Sequence, residues 1–406
     1  MTRTQSFVYV VLLWLAGASL RITVLAVPPI VPLLHVDLHL SETAIGVLSS
    51  LPPLLFAAAA VPGSLFVARL GAMPTLVTGL FVSALAGAAR GAVLDVSVLY
   101  GATIAMSLGV AIMQPALPQL VRYWLPQRVG FGTALYTNGM LVGETMSVAL
   151  TIPVVLPALG GSWRWNLVVW SLPVLATAIL AAGMLRSPSL TLGPVSRATA
   201  AAAGQRWWPD WTDPQLWKLG LMLGSVNSVY FASNAFLPDY LTQTGQSELI
   251  GATLTAINLG QVPGSLAMLG LAGRLAGHRT TYVTTALLTF ASLLGMTLLT
   301  GVWVVVSAAL VGMITAVALV LAFALPILLS PPDDVHRMSA GMIAIGYSCA
   351  MITPTLGGFL WDASGIPFAA FAPMMVWPLV TIGLAHVIAF QAKPPQRAAE
   401  SIPAPR

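Results

Sequence analysis

Val61-Pro62-Gly63-Ser64-Leu65 stands late in one apolar stretch of this chain, and the same five residues return as Val262-Pro263-Gly264-Ser265-Leu266. The offset, 262 − 61 = 201, is close to half of the 406 residues. A short basic turn follows each copy, Arg69-Leu70-Gly71 in the first and Arg274-Leu275-Ala276-Gly277-His278-Arg279 in the second. Upstream, each stretch opens on a Ser-Glu pair, Ser41-Glu42 and Ser247-Glu248. Serine caps a helix N-terminus and glutamate suits its first turn. A second echo pairs Pro157-Ala158-Leu159-Gly160-Gly161 with Pro354-Thr355-Leu356-Gly357-Gly358, at an offset of 354 − 157 = 197. The chain reads as two copies of one helical unit.

Composition says which solvent those units live in. Hydrophobic residues make up 57% of the chain and charged residues only 7%, with a mean hydropathy of +0.89. Soluble domains are about 25% charged, and disorder needs low hydrophobicity with high charge. Both classes are excluded. At roughly 34 residues per membrane-spanning helix and its connection, the length allows about twelve helices.

Twelve apolar stretches are predicted, at about 7–33, 43–67, 73–93, 97–121, 131–156, 164–185, 216–241, 248–272, 281–300, 302–328, 338–361 and 367–391. With an inside N-terminus, Arg3, Arg69, Arg122, Arg128, Arg186, Arg197, Arg206, Lys218, Arg274, Arg279, Arg337, Lys393, Arg397 and Arg406 fall on one side. That is 14 of the 17 Lys and Arg residues. Only Arg90 and Arg164 lie toward the other face, and Arg21 lies inside the first stretch. The positive-inside rule makes the 14-residue side cytoplasmic, with both termini there. The net charge of +5 therefore reports orientation, and nucleic acid is not an expected partner. A signal peptide at Arg3–Ser19 is rejected, because the apolar run resumes past Arg21.

The domain expectation follows. It is an all-α membrane protein with a six-helix bundle over 1–185, a cytoplasmic linker over 186–214, a second six-helix bundle over 215–392 and a cytoplasmic tail over 393–406. Trp207, Trp208 and Trp211 in the linker read as interfacial anchors. The single cysteine, Cys349, lies in an apolar run and reads as a small packed residue.

These residues also carry a family resemblance. The run from Gly63 through Arg69 to Gly71 resembles the loop motif after the second helix of the major facilitator superfamily, with Ala68 where that motif has an acid. The chain further resembles the cyanate and 2-nitroimidazole transporter-like branch. Ser19-Leu20-Arg21, Leu48-Ser49-Ser50-Leu51-Pro52-Pro53 and Ile112-Met113-Gln114-Pro115-Ala116-Leu117-Pro118 carry that likeness in the first half. Ala235-Phe236-Leu237-Pro238, Leu259-Gly260-Gln261 and Ile345-Gly346-Tyr347 carry it in the second. The branch's usual asparagine two residues before Arg21 is Ser19, and its proline after Arg21 is Ile22. The resemblance implies two pseudo-symmetric six-helix bundles, alternating access, transport of a small solute without ATP, and a cavity lined by helices 1, 4, 7 and 10. No G-x-x-x-x-G-K-[ST] sequence occurs, and no cofactor is expected.

An ionisable residue inside a span is costly and marks a candidate site. Arg21 lies 14 residues into the first stretch. Its planar guanidinium suits a carboxylate or a linear anion; the alternative is a structural arginine bonded to backbone carbonyls or a neighbouring helix. Glu144, about halfway along helix 5, is the acid deep in a span. It is the proton-coupling candidate, with neutralising Arg21 or staying protonated and hydrogen-bonded as alternatives. Further substrate-binding candidates are Gln114, Tyr136, Asn138, Asn227, Tyr230, Asn234 and Gln261, each equally a source of interhelical hydrogen bonds. Asn227, Tyr230 and Asn234 share one face by their spacings of three and four. Arg69, Gly63 and Gly71 are the gating-loop candidates. Helix 10 is almost wholly apolar and predicts a greasy wall.

Other polar clusters read more simply. His35-Val36-Asp37-Leu38-His39 lacks a fourth ligand and reads as a solvated loop, so no metal site is expected. Asp95 near Arg90 reads as a surface pair. Trp124, Trp163, Trp165 and Trp361 fall at span ends, as interfacial belts do. The favoured reading is a monomeric secondary transporter in a bacterial-style inner membrane, moving a small anionic solute, with protons as the coupling candidate. Proton-coupled export of nitroaromatic or drug-like compounds is the alternative. A membrane enzyme would need a compact catalytic set at one face, and none is visible.

Overall fold

A backbone in lipid must satisfy its own N–H and C=O groups, which an open chain does only as helix. The computed structural model describes residues 3–39, 42–92, 95–185 and 207–388, and all regular structure there is helical. The first half holds α1 (Arg3–Ser19), α2 (Glu42–Leu70), α3 (Ala72–Ala89), α4 (Val96–Met113), α5 (Val129–Leu150) and α6 (Trp163–Leu185), with shorter helical segments between them that include Val31–Leu38 and Ala116–Trp124. The second holds α7 (Pro214–Gln243), α8 (Ile250–Leu275), α9 (Arg279–Leu298), α10 (Val302–Leu329), α11 (Val335–Ser364) and α12 (Ala372–Val387). Eleven helical segments among the described residues are long and apolar enough to cross a membrane. The 30-residue α7 is not one of them. Its buried Ser225, Asn227, Ser228 and Ser233 lower its hydropathy without shortening it. The tail over 393–406, and 186–206 of the expected linker with Arg186, Arg197 and Arg206, lie outside the described residues.

Within each half the helices pack on one another, and α2 with α11 and α5 with α8 join the halves. Lipid offers no hydrophobic drive between helices, so close backbone approach at small residues supplies the packing. The repeated pentapeptide does this twice. A Cβ on Gly63 of α2 would lie 2.9 Å from the Ile112 carbonyl of α4, and one on Gly264 of α8 would lie 2.4 Å from the Met313 carbonyl of α10. The sequence repeat is thus a packing repeat.

The tightest approach is Gly312 of α10, where a Cβ would meet the Ile257 carbonyl oxygen at 1.9 Å. Gly312→Ala is expected to lower the unfolding midpoint in detergent, at a cost of about 1–3 kcal/mol for overpacking, and Gly312→Leu to abolish folded yield. Gly101 has nothing within 4 Å of its Cβ position, so Gly101→Ala is the control. Equal midpoints for the two alanine variants would refute the packing account.

Three local expectations need correction. The first apolar stretch is not one continuous helix: α1 stops at Ser19 and a short segment, Ile22–Leu25, follows. Between them Leu20 and Arg21 donate to carbonyls three residues back, Gly17 and Ala18, a tighter winding than the α-helix. Trp124 and Trp163 are buried, at 5% and 4% exposure, and do not form a lipid-facing belt. Trp124 stacks on Tyr9 with centroids 4.6 Å apart. Nor do Asp95 and Arg90 pair: Asp95 caps α4 by accepting from the Ser97 N–H, and Arg90 is 1% exposed.

Arg69, Arg122, Arg128, Arg274, Arg279 and Arg337 lie at helix termini that alternate in direction along the chain, which gathers them at one end of the bundle. At that end two hydrogen bonds join the halves. Arg122 Nη1 donates to the Ile327 carbonyl at 2.6 Å and Gln119 Nε2 to the Pro332 carbonyl at 3.1 Å. At the opposite end Trp163 Nε1 donates to Asp37 Oδ2 at 2.8 Å, and Arg164 forms an ion pair with it at 2.5 Å. Those two donors, Trp163 first, hold the Asp37 carboxyl below the usual carboxylate range.

Candidate functional site

The tightened turn after α1 puts Arg21 in the middle of the bundle, 8% exposed. Its Nη2 donates to Tyr347 Oη of α11 at 2.8 Å, across the two halves. Nε lies 4.0 Å from Glu144 Oε2 of α5. The guanidinium carbon is 5.8 Å from the ring centroids of both Phe56 and Tyr347, within cation–π range. Arg21 therefore meets groups from α2, α5 and α11.

Glu144 continues into a polar chain. Tyr230 Oη of α7 lies 2.5 Å from Glu144 Oε1 and 2.6 Å from Asn258 Oδ1 of α8. Asn258 Nδ2 donates to Asn234 Oδ1 at 3.1 Å and to the Leu254 carbonyl at 2.8 Å, which orients its amide. Asn234 Nδ2 in turn donates to the Tyr230 carbonyl at 2.9 Å. A phenol has one hydrogen to give. Tyr230 therefore donates either to Glu144 Oε1 or to Asn258 Oδ1, and not to both at once.

Arg21, Glu144, Asn227, Tyr230 and Gln261 line one small cavity of about 20 Å3, with Thr315 and Leu319 of α10 on its wall. That volume has room for about one water. The buried Asn227 Nδ2 has no hydrogen-bond partner among the described residues, which leaves a donor for a small ligand. On the α10 side the wall is Leu319 and Thr315, and Thr315 returns its hydroxyl to the Val311 carbonyl.

The remaining candidates lie elsewhere. Asn138 donates to Ser265 Oγ at 2.9 Å and accepts from Trp14 Nε1 at 2.9 Å, which binds α5 to α8 and α1. Tyr136 is buried with its ring edge on Phe323, centroids 6.1 Å apart. Its hydroxyl, like Gln114 Oε1, has no partner among the described residues. Gly63 packs on α4 as above, while Gly71 adopts φ +92° at the α2–α3 turn, open to glycine at no steric cost. Arg69 beside it is exposed.

Tyr347 and Arg90 are not among the candidate site residues read from the sequence. Tyr347 belongs to a stretch that carries the family resemblance and is no candidate site residue by its pattern, yet it holds Arg21 from the opposite half. Arg90 reads as a surface residue and is buried. A tyrosine or arginine amid apolar residues is the available signal in both cases.

Residues 13–276 match the model of the Major Facilitator Superfamily. The chain is 23% identical over 363 residues to the cyanate transport protein CynX of Escherichia coli (strain K12), covering 86% of this chain and 89% of that one. It is 25% identical over 238 residues to the 2-nitroimidazole transporter of the same organism, covering 59% and 58%. Among solved structures, the transporter FucP in the outward conformation superposes with a TM-score of 0.72 at 16% identity, over 94% of this chain and 99% of that one.

Proposed function

The chain belongs to the Major Facilitator Superfamily, and from that premise we propose that it carries a small anionic solute together with a proton by alternating access. It is a multi-pass membrane transporter and not an enzyme. The observation that carries the anionic reading is Arg21, a buried cation that bridges both halves and lines the central cavity beside one titratable acid. A charge in that position is costly unless a partner or cargo answers it.

The proton follows from the same pair. With Glu144 protonated, Arg21 is left without an anionic partner among the described residues and favours an anion; with Glu144 ionised, the pair is neutral and does not. Anion and proton then promote each other's binding, as linkage requires. The bodies that rock are 1–185 and 215–392, with 186–214 linking them. Helix α7 crosses the membrane despite its polarity, which gives twelve spans and both termini on one side. The basic end is cytoplasmic by the positive-inside rule, the membrane is the bacterial inner membrane, and one chain suffices.

A second reading is export of small nitroaromatic compounds. Phe56 and Tyr347, which flank Arg21, and Phe231, 5.4 Å from Tyr230 between centroids, favour it. Uptake into proteoliposomes separates the two. Cyanate, formate, acetate and a neutral nitroimidazole are supplied with and without an inward proton gradient. Saturable anion uptake raised by the gradient is expected. Flux of the neutral compound alone would give the case to the second reading.

A further inference from the structure

Arg21 has a second face. Besides the cavity it shares with Glu144 it lines a second one of about 110 Å3, and Arg90 lines that cavity together with Val24, Pro28, Pro52 and Thr103. Several waters, or one small anion, fill such a volume. Arg90 Nη2 donates to the Thr23 carbonyl at 2.6 Å and Nε to the Gly87 carbonyl at 3.4 Å. Among the described residues no carboxylate lies within ion-pair distance of it. Two backbone carbonyls orient a guanidinium but do not cancel its charge, and a buried charge without a counter-charge is strongly disfavoured. The space beside Arg90 is therefore where the missing negative charge fits.

We propose that Arg21 and Arg90 form a two-arginine anion site in this cavity, which takes the carboxylate or linear-anion group of the solute. The site rests on the anionic reading given above and adds to it a second recognition residue and a location. The cavity beside Glu144 has room for about one water, so the solute lies on the Arg90 side of Arg21 and the proton on the other. Arg21 is the wall between them and senses both. Such a site selects compact anions, because Val24, Pro28 and Pro52 offer no hydrogen-bonding side chain to a polyhydroxylated cargo.

The test is ligand-dependent thermal stabilisation of the purified full chain in detergent, at constant ionic strength, with cyanate, nitrate, formate and acetate as separate probes. At least one probe is expected to raise the wild-type unfolding midpoint saturably. Arg90→Gln should weaken its apparent Kd tenfold or more, and Arg90→Lys, which keeps the charge and loses the fork, threefold or more. The ligand-free midpoint and gel-filtration profile report folding. If Arg90→Gln does not fold, Arg90→Lys decides the matter by the same criterion. Wild-type affinity in the folded Arg90 variants, alongside lost affinity in Arg21→Gln, overturns the two-arginine site and leaves the Arg21 reading standing. Failure of every probe to stabilise the wild type, or unchanged affinity in both Arg21→Gln and Arg90→Gln, overturns both.

Discussion

Arg21→Gln is expected to reduce anion uptake in proteoliposomes about a hundredfold or more while the protein remains folded. Truncating one partner of a buried charge pair costs about 2–5 kcal/mol, and each 1.4 kcal/mol is about tenfold. The folded state tolerates the change because glutamine keeps an N–H donor for the Tyr347 hydroxyl. Arg21→Lys retains the charge without the planar fork and should fall between the two. Initial rates over a range of anion concentrations, with gel filtration and an unfolding curve on each variant, supply the readout. Uptake at the wild-type rate in Arg21→Gln would make the arginine a structural tether of Tyr347. Flux of the neutral nitroimidazole should be indifferent to the substitution if that compound uses the aromatic surfaces alone.

Why Arg21 is legible in the sequence and Arg90 is not is a matter of depth. A charge fourteen residues into an apolar stretch has nowhere to go but the bundle interior. Arg90 stands at the end of α3, where an arginine ordinarily snorkels to the interface, and Asp95 five residues on offers a ready partner. Its actual environment is set by the segment after α1, whose Thr23 carbonyl accepts from it across 67 residues of sequence. No pattern local to α3 encodes that contact.

Tyr230, Asn234 and Asn227 illustrate the opposite case. Helical spacing alone puts them on one face of α7, and two of them, Asn227 and Tyr230, line the central cavity. Asn138 has the same polarity and a similar depth, yet its amide is used up by Trp14 and Ser265. Whether a buried amide binds solute or glues helices depends on who faces it, which is a tertiary fact. The fold is legible for a further reason: the pentapeptide repeat marks equivalent positions in two halves, and a glycine that lets one helix approach another does so by lacking a side chain. Helix breaks are less legible, since the one at Leu20 and Arg21 lies inside a stretch that is apolar on both sides of Arg21.

Glu144→Gln carries the proton hypothesis. Glutamine matches a protonated carboxyl in shape, and its amide nitrogen can donate to the Tyr230 hydroxyl while the phenol donates to Asn258, so the chain through Asn258 and Asn234 stays satisfied. What the variant lacks is the ionised state. Anion exchange down its own gradient should therefore persist within about threefold of wild type, since Arg21 now stays permanently receptive and each 1.4 kcal/mol is about tenfold. Accumulation driven by an inward proton gradient should fall to the equilibrium level, because no proton travels with the solute. The pH dependence separates the variants further. The coupled reading expects anion affinity to improve as pH falls in the wild type and to be flat over the same range in Glu144→Gln. Counterflow and gradient-driven uptake are measured on one preparation, so a general loss of activity is distinguished at once. If both are lost together with a lowered unfolding midpoint, Glu144 is a structural partner of Tyr230. If gradient-driven accumulation survives, the coupling proton passes through another group and the pairing of Arg21 with Glu144 only sets the charge of the resting cavity.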